Sequence, residues 1–142
     1  MGVALEQAHL AASLGEVPVG AVVVVGDAVV AAAHNLREST ADPTAHAEVL
    51  ALRAAGQVLG SWRLSEATLH VTLEPCAMCA GAAVSARLGR LVYGAADPKA
   101  GAVGSLYNLA ADPRLNHEVP WGSGVRADEC ARVLEDFFSE RR

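Results

Sequence analysis

The sequence contains only three cysteines among its 142 residues, too few and odd in number for a disulfide framework. Two of them, Cys76 and Cys79, have a spacing typical of metal ligands, which favours a reducing compartment. We expect no signal peptide either, because residues 1–14 carry polar residues such as Glu6 and Gln7 at helical intervals. We therefore expect a cytoplasmic protein.

The sequence also lacks a hydrophobic run long enough to span a membrane. The candidate stretch, residues 17–33, is interrupted by Gly20 and by the Gly26-Asp27 pair, which divides it into two short β-branched segments and favours a hairpin. Internal repeats, low-complexity tracts and linkers are absent. With 52% hydrophobic and 19% charged residues, the composition is that of a folded protein, and the length predicts a single domain over residues 1–142.

Positive charge is scarce, because 11 Lys and Arg residues stand against 16 Asp and Glu residues, for a formal net charge of −5. Neutralisation of phosphates supplies most of the non-specific affinity for nucleic acids, so a general nucleic-acid binder usually carries the opposite sign. Composition alone therefore argues against RNA as a partner, and only a more specific signal can favour it.

Helix and strand patterns alternate along the chain and predict an α/β sheet with parallel neighbours. Helices are expected over residues 3–15, from near Thr44 to near Gly56, from Pro75 to about Ser85, and from Asp128 to about Arg141. Strands are expected over residues 19–25, 28–33, 67–73, 91–93 and 117–121. The first two consist largely of Val and Ala, which suggests burial on both faces. Loops are expected over residues 35–41 and 94–104.

Two short motifs, His46-Ala47-Glu48 and Pro75-Cys76-Ala77-Met78-Cys79, carry the candidate chemistry. Cysteines three apart in the first turn of a helix lie on one face, at the positive end of the helix dipole, which favours the thiolates that bind zinc. Three protein ligands, His46, Cys76 and Cys79, suit a catalytic zinc ion with a position left for water. The alternative of two ordinary buried cysteines does not account for the upstream His-x-Glu pattern.

Glu48 is the candidate proton carrier for that water. Residues two apart subtend about 200° around a helix, so His46 and Glu48 do not share a helix face. We expect them to meet at the site instead, with His46 reaching the metal from the first helical turn and Glu48 reaching alongside it.

Together the two motifs resemble those of the zinc-dependent nucleoside and nucleobase deaminases. A closer resemblance, to bacterial tRNA-specific adenosine deaminases, is carried by five segments over nearly the whole chain: residues 17–22, 42–48, 71–76, 97–106 and 127–130. It implies a cytidine deaminase-like α/β fold, with three α/β/α layers around a mixed, mostly parallel five-stranded sheet. It also implies a homodimer in which the partner subunit helps to build the RNA site.

The function implied by this resemblance is hydrolysis of adenosine to inosine at the wobble position of a tRNA anticodon stem-loop, that of an arginine tRNA. One Zn²⁺ per subunit would be held by His46, Cys76 and Cys79, and Glu48 would move protons between the water, N1 of adenine and the departing ammonia. The implied substrate contacts are Asn35 for the flipped base, Val17 and Leu73 for its pocket, Asp97 and Lys99 for the sugar-phosphate, and Phe138, Arg141 and Arg142 for the anticodon. Adjacent helical residues point about 100° apart, so one ring of the Phe137-Phe138 pair should belong to the core.

Two alternatives stay open. A deaminase of free cytosine, guanine or a nucleoside would share the zinc ion and the glutamate, so the metal motif cannot separate it from an RNA enzyme. A zinc-stabilised binding module without catalysis would need a fourth protein ligand, for which His34, His70 and Cys130 are the candidates. Ser139 and Ala96 occupy positions where the resemblance implies arginine.

Overall fold

The computed structural model describes residues 1–141, which form five strands and five helices; the predicted anticodon contact Arg142 lies outside these residues. The strands are β1 (Gly20–Val25), β2 (Ala28–His34), β3 (Ala67–Leu73), β4 (Arg90–Ala95) and β5 (Trp121–Gly122). The helices are α1 (Gly2–Ser13), α2 (Arg37–Thr40), α3 (Ala47–Leu59), α4 (Ala77–Ser85) and α5 (Ala127–Ser139). Within residues 1–141, every helix is too short or too polar to cross a bilayer.

The strands form one mixed sheet in the order β2-β1-β3-β4-β5. β1 pairs antiparallel with both β2 and β3, whereas β3 with β4 and β4 with β5 pair in parallel. The predicted mixed five-stranded sheet is therefore confirmed, with parallel pairing confined to the half that contains β3, β4 and β5. This topology brings the start of β1 and the ends of β2, β3 and β4 to the same edge of the sheet.

Helices cover both faces of the sheet and complete the predicted three layers. α1 and α5 contact each other on one face, and α3 and α4 contact each other on the opposite face. The larger core lies beneath α3 and α4, where Leu69 and Leu91 are fully buried, and a smaller cluster of Leu5, Ala95 and Cys130 lies beneath α1 and α5.

The prediction that both hairpin strands are buried on both faces is right for β1 and wrong for β2. β2 is an outermost strand of the sheet, and its residue Val29 is 51% exposed. An edge strand has a neighbour on one side only, so its Val and Ala content reports strand propensity and not burial.

The predicted start of α3 near Thr44 is wrong by three residues, and His46 lies just before the helix in an extended conformation with φ −73° and ψ 149°. The carboxylate of Asp42 accepts hydrogen bonds from the backbone N–H and the hydroxyl of Thr44, so these residues form a turn before the helix instead of capping it. At the other end, α3 continues to Leu59 and stops at Gly60, which has a φ of 66°.

Other boundaries differ by a few residues from the sequence prediction. α4 begins at Ala77 with Cys76 as its N-cap residue, and the short helix α2 lies inside the segment expected to be a loop. β4 extends from Arg90 to Ala95, and β5 occupies Trp121–Gly122 instead of residues 117–121. These shifts leave the order of the long elements unchanged.

His70 is a half-buried polar residue in the centre of the sheet, beside Val22 of β1 and Val92 of β4. Among the residues that the structure describes, its Nδ1 atom is buried and has no hydrogen-bond partner. Burial, together with the positive charges of the N-terminal amine and Arg90, lowers the pKa of His70 below its ordinary value. The folded protein therefore favours a neutral His70.

We expect the free energy of unfolding to decrease as the pH falls below about 6.5, because the unfolded chain then binds a proton at His70 before the folded protein does. In His70→Gln this part of the acid sensitivity should disappear, so that the loss of Tm between about pH 7.5 and pH 5 is smaller by about 2–4 °C. Thermal denaturation at both pH values measures the difference, with His9→Gln at an exposed position of α1 as the matched control. Equal losses of Tm in the unchanged protein and in His70→Gln would contradict the assignment.

Candidate active site and metal centre

A cavity of about 220 Å³ lies at the edge of the sheet where β1 begins and where β2, β3 and β4 end. Seven of the residues predicted from the sequence line it: Val17, Asn35, His46, Glu48, Leu73, Cys76 and Asp97. They come from segments far apart in the chain, and the antiparallel pairing of β1 together with the parallel pairing of β3 and β4 brings them together. This edge of the sheet is therefore the candidate active site.

His46, Cys76 and Cys79 form a compact group of donor atoms. Nδ1 of His46 lies 3.6 Å from Sγ of Cys76 and 3.4 Å from Sγ of Cys79, and the three candidate ligand atoms all lie within 4.8 Å of one another. A tetrahedral zinc ion bonded at about 2.0–2.1 Å to nitrogen and about 2.3 Å to sulfur requires nitrogen–sulfur separations of about 3.6 Å. The two nitrogen–sulfur distances thus already match those that a zinc ion requires.

Two helix starts hold these donors. His46 is the N-cap residue of α3, Cys76 is the N-cap residue of α4, and Cys79 lies in the first turn of α4. The prediction that His46 belongs to the first helical turn is therefore wrong by one position. Both helices direct their positive ends at the group, and this positive potential favours the thiolate form of the two cysteines.

The two thiols of the group differ in the direction of their pKa shifts. The hydrogen bond from Cys79, followed by that from His46, lowers the pKa of Cys76 to about 3, while the hydrogen bond to Cys76 and burial raise the pKa of Cys79. The pair therefore carries one negative charge readily. A second charge requires a cation between the sulfur atoms, because two adjacent thiolates repel each other.

No fourth protein ligand completes the group within residues 1–141. His34, His70 and Cys130 do not belong to it, and His34 and Cys130 instead lie beside backbone carbonyl oxygens, those of Asn35 and Val125. A structural zinc site normally has four protein ligands, whereas a catalytic site has three and leaves one position open. The donor set therefore disfavours the non-catalytic binding module.

Glu48 lies one residue into α3 and lines the same cavity as His46 and Cys76. Its side chain is 4% exposed, and burial raises its pKa, although its own backbone N–H and the nearby His46 oppose the shift. A buried carboxyl whose pKa is raised holds a proton more readily than an exposed one, which suits a group that must both accept and donate a proton. Glu48 thus has the environment of a general acid and base.

Asn35 is buried in the wall of the cavity with a fixed amide orientation. Its Nδ2 donates to the carbonyl oxygen of Val17 at 3.3 Å, and its Oδ1 accepts the backbone N–H of Arg37 at 3.1 Å. One N–H and one lone pair of the amide stay available to a ligand. Val17 and Leu73 supply apolar lining beside it.

The predicted contacts Lys99, Phe138 and Arg141 are not part of the lining of this cavity. Lys99 is exposed and is not part of the lining, although its backbone N–H donates to the carboxylate of Asp97. Phe137 is buried and Phe138 is 47% exposed, so one ring of the pair belongs to the core, as predicted. The guanidinium of Arg141 lies 3.5 Å from the ring centre of Phe137 and also donates to its carbonyl oxygen.

Two residues of the cavity lining, Arg37 and Glu74, and one residue outside it, Glu16, were given no role in the sequence analysis. Arg37 lines the cavity with an exposed side chain, Glu74 lines it with a buried one, and Glu16 is fully buried behind α2, where it accepts the backbone N–H groups of Glu38 and Ser39. Glu16 precedes Val17-Pro18, and Glu74 precedes Pro75-Cys76. A charged residue next to an otherwise apolar segment was the signal in the sequence that could have identified them.

The fold and this site define a deaminase. The model of the MafB19-like deaminase family matches residues 1–142. The chain is 50% identical to the tRNA-specific adenosine deaminase of Bacillus subtilis (strain 168), over 98% of this chain and 86% of that protein. A solved structure from a study of A-to-I editing by tRNA:A34 deaminases at the wobble position of transfer RNA is similar, with a TM-score of 0.91 and 45% identity, over 94% of this chain and 97% of that one. The chain is an enzyme that belongs to the family of tRNA-specific adenosine deaminases, which confirms the resemblance seen in the sequence.

A guanine deaminase from Bacillus subtilis is similar over a smaller part of the chain. Its structure has a TM-score of 0.63 and 40% identity, over 66% of this chain and 60% of that one. The likeness to the tRNA-specific enzymes is thus stronger in identity, superposition and coverage.

Proposed function

We propose that this enzyme is a zinc-dependent tRNA deaminase that converts adenosine to inosine at position 34 of an anticodon stem-loop, and that an arginine tRNA is its substrate. The observation that carries the proposal is the cavity itself, in which the His46, Cys76 and Cys79 group, the buried Glu48 and the amide of Asn35 surround about 220 Å³. This volume is below the roughly 300–1,000 Å³ of pockets for drug-sized ligands. It suits a single base taken out of its stack.

Zinc, when bound by His46, Cys76 and Cys79, lowers the pKa of water towards neutrality and so supplies a nucleophile at cellular pH. Glu48 accepts a proton from the attacking water and delivers one to N1 of the adenine ring. The water oxygen forms a bond to C6, and Glu48 takes the second proton from the resulting hydroxyl and passes it to the amino nitrogen. The bond from C6 to this nitrogen then breaks, and the nitrogen leaves as ammonia. Adenosine and water thus become inosine and ammonia.

The free N–H and lone pair of the Asn35 amide would hydrogen-bond the flipped base, while Val17 and Leu73 would exclude water from its two faces. Asp97 lies in the lining where the sugar would enter. Lys99, Phe138, Arg141 and Arg142 are the proposed contacts with the RNA beyond the base. These roles follow the resemblance to the family and agree with the cavity lining in the case of Asn35, Val17, Leu73 and Asp97.

Local charge supports an RNA substrate despite the net charge of −5. Arg37 lies in the cavity lining with an exposed side chain, and among residues 1–141 its guanidinium takes part in no ion pair. An exposed guanidinium in the lining of a base-sized cavity is suited to a phosphate next to the flipped nucleotide.

We infer a cytoplasmic homodimer. All three cysteines are free thiols, which is consistent with a reducing compartment. On the outer face of α3 and α4, Trp62 is 60% exposed beside a groove lined by Leu52, Gly56 and Ala82. Exposed apolar side chains around a groove are typical of interaction surfaces, and a second copy of the chain is the occupant that we propose.

Zinc-loaded enzyme tests the proposed substrate in parallel reactions with an anticodon stem-loop that contains adenosine 34, with free adenosine, and with free guanine and cytosine. Contacts to the rest of the RNA contribute to transition-state binding, so we expect kcat/KM for the stem-loop to exceed that for adenosine by at least about 100-fold. A stem-loop with guanosine at position 34 is the matched control and should stay unchanged. Efficient deamination of guanine or cytosine with no inosine in the stem-loop would overturn the proposal.

A further inference from the structure

Glu74 accepts a dense set of hydrogen bonds and takes no direct part in the chemical steps described above. It follows β3 directly, and its side chain is 2% exposed. Its carboxylate accepts the backbone N–H groups of Asp97 at 3.0 Å, Val103 at 3.2 Å, and Gly104 and Ser105 at 2.9 Å each, together with the hydroxyl of Ser105. All of these donors belong to the segment of residues 97–105, which we call the anchored loop.

The anchored loop is closely packed around the carboxylate. A Cβ atom added at Gly101 would lie 2.3 Å from Cδ of Glu74, so a side chain at this position would force the loop and the carboxylate apart. The loop is also tied to the start of α4, because the N–H of Ala102 donates to the carbonyl oxygen of Pro75 at 2.8 Å. Its position therefore depends on Glu74 and on the residue that precedes the metal ligand Cys76.

The anchored loop forms one wall of the active-site cavity. Asp97 and Ala100 line the cavity from this loop, while Val17, Asn35 and Glu48 line it from other segments. A displacement of the loop therefore changes the width of the space in which the base lies next to Glu48. Misplacement of a reacting group by about 1 Å can reduce a rate by about 100-fold.

We propose that Glu74 is a positioning residue that holds the anchored loop, and so aligns the bound base with Glu48. This inference rests on the proposed function, because it takes the cavity as the place of the reaction. An ionised carboxylate suits the task, since it offers only acceptors to the five converging donors. Glutamine has the same shape but would direct an NH₂ group at some of these N–H groups, and aspartate is shorter by one methylene.

Glu74→Gln and Gly101→Ala test the proposal from two directions, because the first weakens the anchor and the second displaces the loop while Glu74 stays in place. In both variants we expect kcat on the stem-loop to fall by about 10–100-fold with KM changed by less than about 3-fold, at unchanged zinc content. Amide hydrogen exchange in residues 97–105 should become faster by at least about 10-fold, and that of β3 should not change. Gly81→Ala is the matched control, because a Cβ at Gly81 meets no atom within 4 Å.

Two results would overturn the proposal: faster exchange in the loop with kcat unchanged, or a loss of kcat that is proportional to a loss of zinc. Should Glu74→Gln fail to fold, Ser105→Ala removes one of the five donors and should lower kcat by about 3-fold with the same change in hydrogen exchange. Failure of the proposed function gives a different result, because the unchanged enzyme would then be inactive on the stem-loop. The amide hydrogen exchange of residues 97–105 would still decide whether Glu74 anchors the loop.

Discussion

Glu48→Gln is expected to lower kcat for inosine formation by about 10²–10⁴-fold while the zinc content stays that of the unchanged enzyme. Glutamine keeps the size and the buried position of the side chain, but its amide can neither accept the proton of the water nor deliver one to N1 of the base. Glu48 supplies none of the three donor atoms of the metal group, so its replacement should leave the metal in place.

Single-turnover kinetics on the stem-loop, together with metal analysis of the same sample, measure both quantities. Glu66→Gln is the matched control, since Glu66 is an exposed glutamate outside the cavity. A Glu48→Gln enzyme with full zinc and an unaltered kcat would contradict the assignment of Glu48 as proton carrier.

Cys79→Ala is expected to abolish stoichiometric zinc binding and to reduce kcat by at least about 100-fold. The substitution leaves two protein ligands, whereas a catalytic zinc ion normally has three. Cys79 is 0% exposed, so the remaining donors Cys76 and His46 also lose the neighbour that fixes their spacing. Chelation of the metal from the unchanged enzyme should have the same effect on kcat, with activity restored by added zinc.

Cys130→Ala is the control for this experiment, because Cys130 is an equally buried free cysteine in the opposite layer of the fold. It should keep both zinc and activity. Metal analysis after dialysis and thermal denaturation with and without chelator give the comparison. Stoichiometric zinc in Cys79→Ala would mean that a different donor completes the site.

Several features were predictable because they depend on neighbours in the sequence. β3 was predicted with its observed limits, Ala67 and Leu73, since a short apolar segment between turn residues has few other stable conformations. The Cys-x-x-Cys spacing likewise predicted that two sulfur atoms lie together at the start of a helix, although Cys76 is the N-cap residue of α4 and only Cys79 lies in its first turn. The predicted start of α3 was wrong because Asp42 and Thr44, which resemble capping residues, bond to each other instead.

Other features could not be predicted from local patterns. Val and Ala fill both strands of the hairpin, but only β1 is central in the sheet, and the order of strands is a property of the whole fold. Glu16 and Glu74 look like ordinary surface carboxylates in the sequence. Their partners are backbone amides 22 to 31 residues further along the chain, and no local periodicity reveals these partners.

The sequence by itself determined the candidate donor set of His46, Cys76 and Cys79, the candidate proton carrier Glu48 and the family, since each depends on residue identity and on short spacings. Only the tertiary structure decided that Asn35, Val17, Leu73 and Asp97 share one cavity with them, and that Lys99, Phe138 and Arg141 lie outside its lining. The physical reason is that this site is built where four strands meet at one edge of the sheet. Which chain segments meet there is set by strand order and direction, and these depend on the packing of the entire domain.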